Sequence, residues 1–380
     1  METFYKIRVV FILFSIITAL SSANGQTGNM SYKNVPSNLI SDVVNSSSFS
    51  TAGNDFIHLE DYTSLTSNGN RSNDFTSEIQ RILNRYRKVI LPNYPIYINA
   101  NGLDIPSNTT LVFQPLSKLV ILPNNKATYE LIRIHNVSGV KILNAKLEGD
   151  RAKHIGNSGE WGHGISIRGA RNVEVRNFKI DNFWGDGIYI GGANLKYSEN
   201  VVINNGKLDY CRRNGISITS GNSISISNVA ISNTMGVAPM FGIDVEPNSN
   251  KDVINDIFIK NVVTYNNSGG GVALGLNKLN LGGTEKICNL SINNMKDIGS
   301  KYGILFGNIN AKNNLISGAL KISNVQLEDN HQPFILKSNS SNSFKISVNS
   351  VNILNPKNAN FNNNELKRIL KLRKDVSLLQ

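Results

Sequence analysis

Cysteine is nearly absent: Cys211 and Cys288 are the only two in 380 residues. Cys211 lies four residues before a strand-opening glycine of the repeat described below, and Cys288 lies fifteen before another. A bridge needs Cα atoms within about 7 Å, so none is expected and both read as small buried apolar residues. Tryptophan is as scarce, with Trp161 and Trp184 alone. The N-terminal apolar run is too short to span a membrane, and no other run is long enough. The chain shows no metal-ligand spacing, nucleotide loop or nucleophile motif, so no metal and no cofactor are expected. Basic residues are not interleaved with aromatics, which argues against nucleic acid as a partner. Acids are fewer than bases, 27 against 39, for a formal charge of +12.

At the N-terminus Lys6 and Arg8 precede the apolar run Val9–Leu20 and the small residues Ala23–Gly25. This pattern reads as a secretory signal over 1–25, so a secreted, periplasmic or cell-surface location is expected. For an exported chain a basic surface suits an acidic polysaccharide. Residues 26–53 are rich in Ser and Asn without periodicity and read as a flexible leader. Phe75, Ile79, Ile82, Leu83 and Tyr86 fall at helical spacing after Asp74, an expected N-cap. A helix there would close the end of the domain at 54–360. The basic tail 361–380 carries Leu366, Ile369, Leu370 and Leu372 partly on one helical face and reads as a second cap, with a membrane-surface helix as the alternative.

Between these ends a short apolar strand recurs, six times opening with glycine: Gly164–Ile167, Gly187–Ile190, Gly215–Ile218, Gly242–Val245, Gly271–Leu274 and Gly303–Phe306. Leu131–Ile134 and Phe334–Lys337 are looser copies. A second strand follows each and is expected to end at Asn, as at Asn177, Asn205, Asn228 and Asn261. Self-similarity at roughly 23 to 32 residues, built of strands, means an all-β solenoid of single-strand parallel coils. From that Asn to the next Gly the spacing is ten residues, including Asn293 to Gly303. It lengthens to fourteen before Gly242 and twenty before Gly164. Two insertions, near 148–163 and 234–241, therefore overhang one face.

Alternation points the Ile and Val of these strands inward and the residues between them outward. The outward columns are Ser166, Tyr189, Ser217, Asp244, Ala273 and Arg168, Gly191, Thr219, Glu246, Gly275. Asp244 and Glu246 share a face about 6.6 Å apart at the backbone. Two carboxylates so placed are what glycoside hydrolysis uses. Just before three of the glycines stand Trp161-Gly162-His163, Trp184-Gly185-Asp186 and Arg212-Arg213-Asn214. Asp186 offers a third acid, Arg212 or Arg213 a partner for a uronate, and Trp161 or Trp184 a stacking face. His163 and Tyr189 are candidate proton carriers. Asp181, Asp209 and Asp297 recur at one turn position and read as turn-formers.

The segment Trp161 to Asn248 resembles bacterial right-handed parallel β-helix proteins of the pectin-lyase-like superfamily. Ser77–Leu83 followed by Val89–Ile98 resembles their entry helix and first strand. The resemblance spans most of 55–355 and implies a right-handed coil. It departs from polygalacturonases: Gly162-His163-Gly164 precedes Gly185-Asp186-Gly187, and no Arg-Ile-Lys follows. The function expected is cleavage of glycosidic bonds in an acidic polysaccharide, with Asp244, Glu246 and Asp186 as catalytic residues. Arg212, Arg213, Tyr189, His163, Trp161, Trp184 and Arg168 would bind substrate. Elimination or C5 epimerisation of a uronate, and a non-catalytic glycan-binding solenoid, stay open beside it.

Overall fold

The computed structural model describes residues 30–45, 55–62, 74–194, 196–307, 309, 315–337, 343–373 and 376–378. The signal segment read over 1–25 lies outside the described residues. The glycine strands form one nine-stranded parallel sheet, running from Leu103–Asp104 through Thr128–His135 and Trp161–Arg168 to Gln332–Leu336. One column aligns Ile165, Ile188, Ile216, Ile243, Val272, Ile304 and Phe334 in register. All seven are buried. Each such side chain contributes about 1.5–3 kcal/mol by leaving water, which is why the repeat needs no cross-link. Cys211 and Cys288 are buried in this core and unbridged. Among the described residues no helix is long and apolar enough to cross a membrane.

The second strands are longer than the sequence suggests. They do not end at Asn but bend there and continue, as in Arg171–Asp181, Ser198–Asp209 and Gly221–Ser232. Asn177, Asn205, Asn228 and Asn261 each take a left-handed φ between 54° and 58°. Asn tolerates that region better than other side chains, so one residue turns the corner without breaking the ladder. The amides stack as well: Asn205 Nδ2 donates to Asn177 Oδ1 at 2.6 Å and Asn261 to Asn228 at 2.6 Å. In the next coil the corner residue is Asn294 (φ 52°), not Asn293 as the ten-residue spacing picks. Asn293 instead donates to Ser323 Oγ.

A second corner column holds Asn233, Asn266 and then Gly299, aligned through Tyr265 and Ile298. Asn266 Nδ2 donates to Asn233 Oδ1 at 2.7 Å, while its own Oδ1 is buried without a partner. Gly299 has φ +71°, and a Cβ there would meet nothing within 4 Å. Gly299→Asn should place an amide donor over Asn266 Oδ1 in a backbone conformation Asn accepts. Stability should rise by about 1 kcal/mol, read as a higher urea midpoint. An unchanged or lower midpoint would refute this account of the break in the column.

Both ends of the coil are covered. Helix Thr76–Arg85 buries Ile79, Ile82 and Leu83 in the solenoid core. Its N-cap by position is Phe75, not Asp74, although the Asp74 carboxylate accepts the Thr76 N–H at 3.0 Å. Helix Asn363–Lys371 buries Leu366 and Leu370, and Asn362 caps it by accepting from Asn364 N and Glu365 N.

The leader expectation is corrected over 31–45. These residues lie along the long-strand sheet, where helix Ser37–Ser41 and the turn after it seat Leu39 and Val43 on Ala230 and Val263. Composition alone hid this, because two apolar side chains and three side-chain amides on the solenoid suffice to hold the segment.

Candidate functional site

The residues just before the strand glycines form a ladder of side chain to backbone. His163 Nδ1 accepts the Asp186 N–H at 3.2 Å, Asp186 Oδ1 accepts the Asn214 N–H at 3.0 Å, and Asn214 Oδ1 accepts the Phe241 N–H at 2.9 Å. Each side chain thus satisfies a donor of the next coil, which gives these polar residues a structural reason to stand there. Because Nδ1 accepts, the His163 proton sits on Nε2, which is buried with no partner. Burial, against the pull of Asp186, holds His163 down at about 4, so the ring is neutral. Tyr189 stacks on it at 5.1 Å.

Asp186 is the hub of the cluster and has no exposed surface. Besides the Asn214 N–H it accepts Ser217 Oγ–H at 2.9 Å and Arg213 Nη1–H at 3.1 Å. Burial opposes the Arg213 charge, but Asp186, Asp244 and Glu160 outweigh it and hold the guanidinium above its ordinary value. Asn214 Nδ2 reaches on to Asp244 Oδ2 at 3.1 Å. Asp186 and Asp244 stand two coils apart and in different columns, since Asp244 aligns with Ser217 and Tyr189; Asn214 and Ser217 join them.

Asp244 and Glu246 differ in environment. Asp244 is 4% exposed, and burial with the nearby Glu246 charge raises it from 3.8 to about 7, against Arg213 and the Asn214 hydrogen bond. The Glu246 side chain keeps 22% of its surface and sits 3.9 Å from Lys278 Nζ. One acid therefore keeps its proton up to about 7, beside one that is only half-buried. The pairing of Asp244 with Ser217 and Ala273 follows the expected outward column.

Other expected site residues go elsewhere. Arg212 does not join the cluster. Its guanidinium lies 3.7 Å over Trp184 and donates to Gly159 O, while its carbonyl accepts the Val237 N–H. It thereby ties the two insertions together. The Trp184 ring already has partners within the chain: His154 stacks on it at 4.0 Å, and Arg212 lies over it at 3.7 Å. Trp161 is 42% exposed. Arg168 lies over Tyr189 at 4.0 Å and pairs with Glu130 at 3.1 Å. Tyr189 shares a hydrogen bond with Thr219 at 2.8 Å. Glu130 and Lys278 were not legible as site members, since neither stands in a glycine strand. Asn214 was legible in position, being the third of three polar residues before a glycine. Among the described residues no group of three or more His, Cys, Asp or Glu is placed to hold a metal.

Comparison with known proteins agrees with this architecture. A family described as "Right handed beta helix region" matches residues 96–250. The uncharacterized protein YclG of Bacillus subtilis is 30% identical over 101 residues, 25% of this chain. The chain spans 17% of the length of the curated relatives that it matches. The mannuronan C-5 epimerase AlgE6 A-module of Azotobacter vinelandii superposes with a TM-score of 0.56 at 16% identity, covering 79% of this chain and 75% of that one. The family 28 exopolygalacturonase of Yersinia enterocolitica superposes at 0.55 and 14% identity, covering 79% and 71%. At such identities the likeness is one of fold. With the in-register parallel sheets above, it establishes that this chain folds as a right-handed parallel β-helix.

Proposed function

We propose that the chain is a polysaccharide-active β-helix that hydrolyses glycosidic bonds, with Asp244 as general acid and Glu246 as base or nucleophile. The observation that carries this is the split between the two carboxyls: one buried and raised to about 7, the other half-buried beside it with Lys278 facing it. Two carboxyl groups in different environments are how glycosidases divide acid from base. The paired cations favour hydrolysis over elimination or epimerisation of a uronate. Arg213 is engaged by Asp186, Arg168 by Glu130, and Lys278 faces Glu246. No cation of the cluster is left to neutralise a sugar carboxylate, so an uncharged sugar suits the site better than the acidic one expected from net charge. Export to the cell surface or beyond fits such a substrate.

A panel of neutral and acidic polysaccharides tests the reading. New reducing ends without an absorbing unsaturated product are expected. The rate should fall as pH rises through about 7, because the acid must hold its proton to give it to the leaving oxygen. An unsaturated product would replace hydrolysis with elimination.

The pre-glycine ladder supports a second reading, a non-catalytic glycan-binding solenoid. There His163, Asp186 and Asn214 hold the coils together and do nothing else. Absence of turnover on every polymer, with binding retained, is its expected result.

A further inference from the structure

The segment 31–45 is bound by the solenoid in an unusual way: its backbone is read by side-chain amides. Asn233 Oδ1 accepts the Lys33 N–H at 3.1 Å while its Nδ2 donates to Lys33 O at 3.0 Å. Asn205 repeats the clamp on Asn45, at 2.7 Å and 3.0 Å. Asn266 Nδ2 donates to Ser31 O at 2.9 Å, and its Oδ1 stays buried and unpartnered. A primary amide offers a donor and an acceptor side by side, the pattern that an adjacent strand would offer. The side chain of Lys33 is not read by these bonds. Two apolar anchors, Leu39 and Val43, complete the contact, with Tyr32 donating to Asp209 Oδ2 and meeting the Tyr210 ring edge-on at 5.2 Å. A gap of about 310 Å³ remains beneath the segment, lined in part by Val35, Ile40, Lys207 and Asp209. The segment is attached at points and is not packed along its length. The corner column also ends where the segment's contacts begin, since Gly299 offers no amide beyond Asn266.

We infer that the corner asparagines Asn205, Asn233 and Asn266 form a docking strip for a peptide read through its main chain on either side of a short helical turn, and that residues 31–45 are its resident ligand. The solenoid core is complete without the segment: Leu39 and Val43 belong to a small cluster separate from the main one. A bound peptide of this kind detaches by local opening and rebinds. Its affinity comes from main-chain hydrogen bonds plus two side-chain anchors, as in strand addition to a sheet edge.

The test uses the full chain with Leu39→Glu and Val43→Glu, which unseat its own segment. A labelled peptide of residues 31–45 should bind this variant saturably. Adding Asn205→Ala and Asn233→Ala should weaken binding at least about tenfold, the loss expected for two clamps. Replacing Lys33 of the peptide by Ala should leave affinity unchanged. Failure of the peptide to bind, or binding indifferent to the two asparagines, overturns the inference. Should the double variant not fold, hydrogen exchange on the unaltered protein decides. The amides of Lys33 and Asn45 are expected to exchange by local opening, well before those of Ile224–Ile231. Exchange of both sets only on global unfolding would overturn the inference as well.

Discussion

Asp244→Asn should lower turnover by about 10²–10⁴-fold while the protein stays folded, because it removes the proton a general acid delivers. Three features of the site make this a sharp test. The Asn carbonyl can still accept from Asn214 Nδ2, so the hydrogen bond at 3.1 Å is kept. The substitution replaces a group that still holds its proton below about 7 with one that is neutral everywhere, so it adds no buried charge. It also changes the pH dependence of stability in a fixed direction. The folded state holds the Asp244 proton up to about 7, whereas the unfolded chain releases it near 3.8. Folding stability from this group is thus full below the lower value and is lost as pH rises through the window. The variant should show a flatter stability curve between those limits, measured by urea unfolding at each pH. Glu246→Gln should abolish turnover too, but by another route. Losing the Glu246 charge removes one of the three causes that raise Asp244, leaving burial and the Asp186 charge, so the acid of the variant ionises at lower pH. Its pairing with Lys278 is long, at 3.9 Å, and only half-buried, so stability should move by no more than about 1 kcal/mol. If both variants keep full turnover, the hydrolase reading falls and the binding reading stands.

Much of the solenoid could be read from the chain, because a parallel coil repeats one demand in every turn. Ile165, Ile188 and Ile216 follow glycines at regular spacing since each must fill the same inward place, so alternation alone picks out the column. The Asp244–Glu246 face was legible on the same ground. What could not be read is where side chains turn once they leave the strand. Arg212 and Arg213 are adjacent in sequence, yet one lies on Trp184 and the other against Asp186. Their directions are set by the two insertions, whose paths no repeat constrains. The docked segment 31–45 escaped for a related reason. It offers the solenoid mainly its own backbone groups, which every sequence has, so no pattern in the segment marks it.

The three pre-glycine polar residues looked like chemistry, and the ladder shows them serving the coil, with Asp186 carrying the largest share. Asp186→Ala should therefore cost about 3–5 kcal/mol of stability, the range for breaking a buried pair and leaving its partner uncompensated. Arg213, with its side chain 16% exposed, would keep its charge without the carboxylate 3.1 Å away. The Ser217 hydroxyl and the Asn214 N–H would lose their acceptor in the same step. Water reaches none of these groups easily, since Asp186, Asn214 and Ser217 are all buried. Urea unfolding of the variant measures the loss directly. A cost under about 1 kcal/mol, the worth of an exposed pair, would show that the cluster opens to solvent and that Asp186 is free for substrate. The double variant Asp186→Ala with Arg213→Met separates the charge from the hydrogen bonds. Removing both partners lifts the stranded cation and should restore a good part of the stability, as apolar replacement of buried pairs does elsewhere. What the double variant fails to restore measures the ladder itself, the Asn214 N–H and Ser217 hydroxyl left without Asp186.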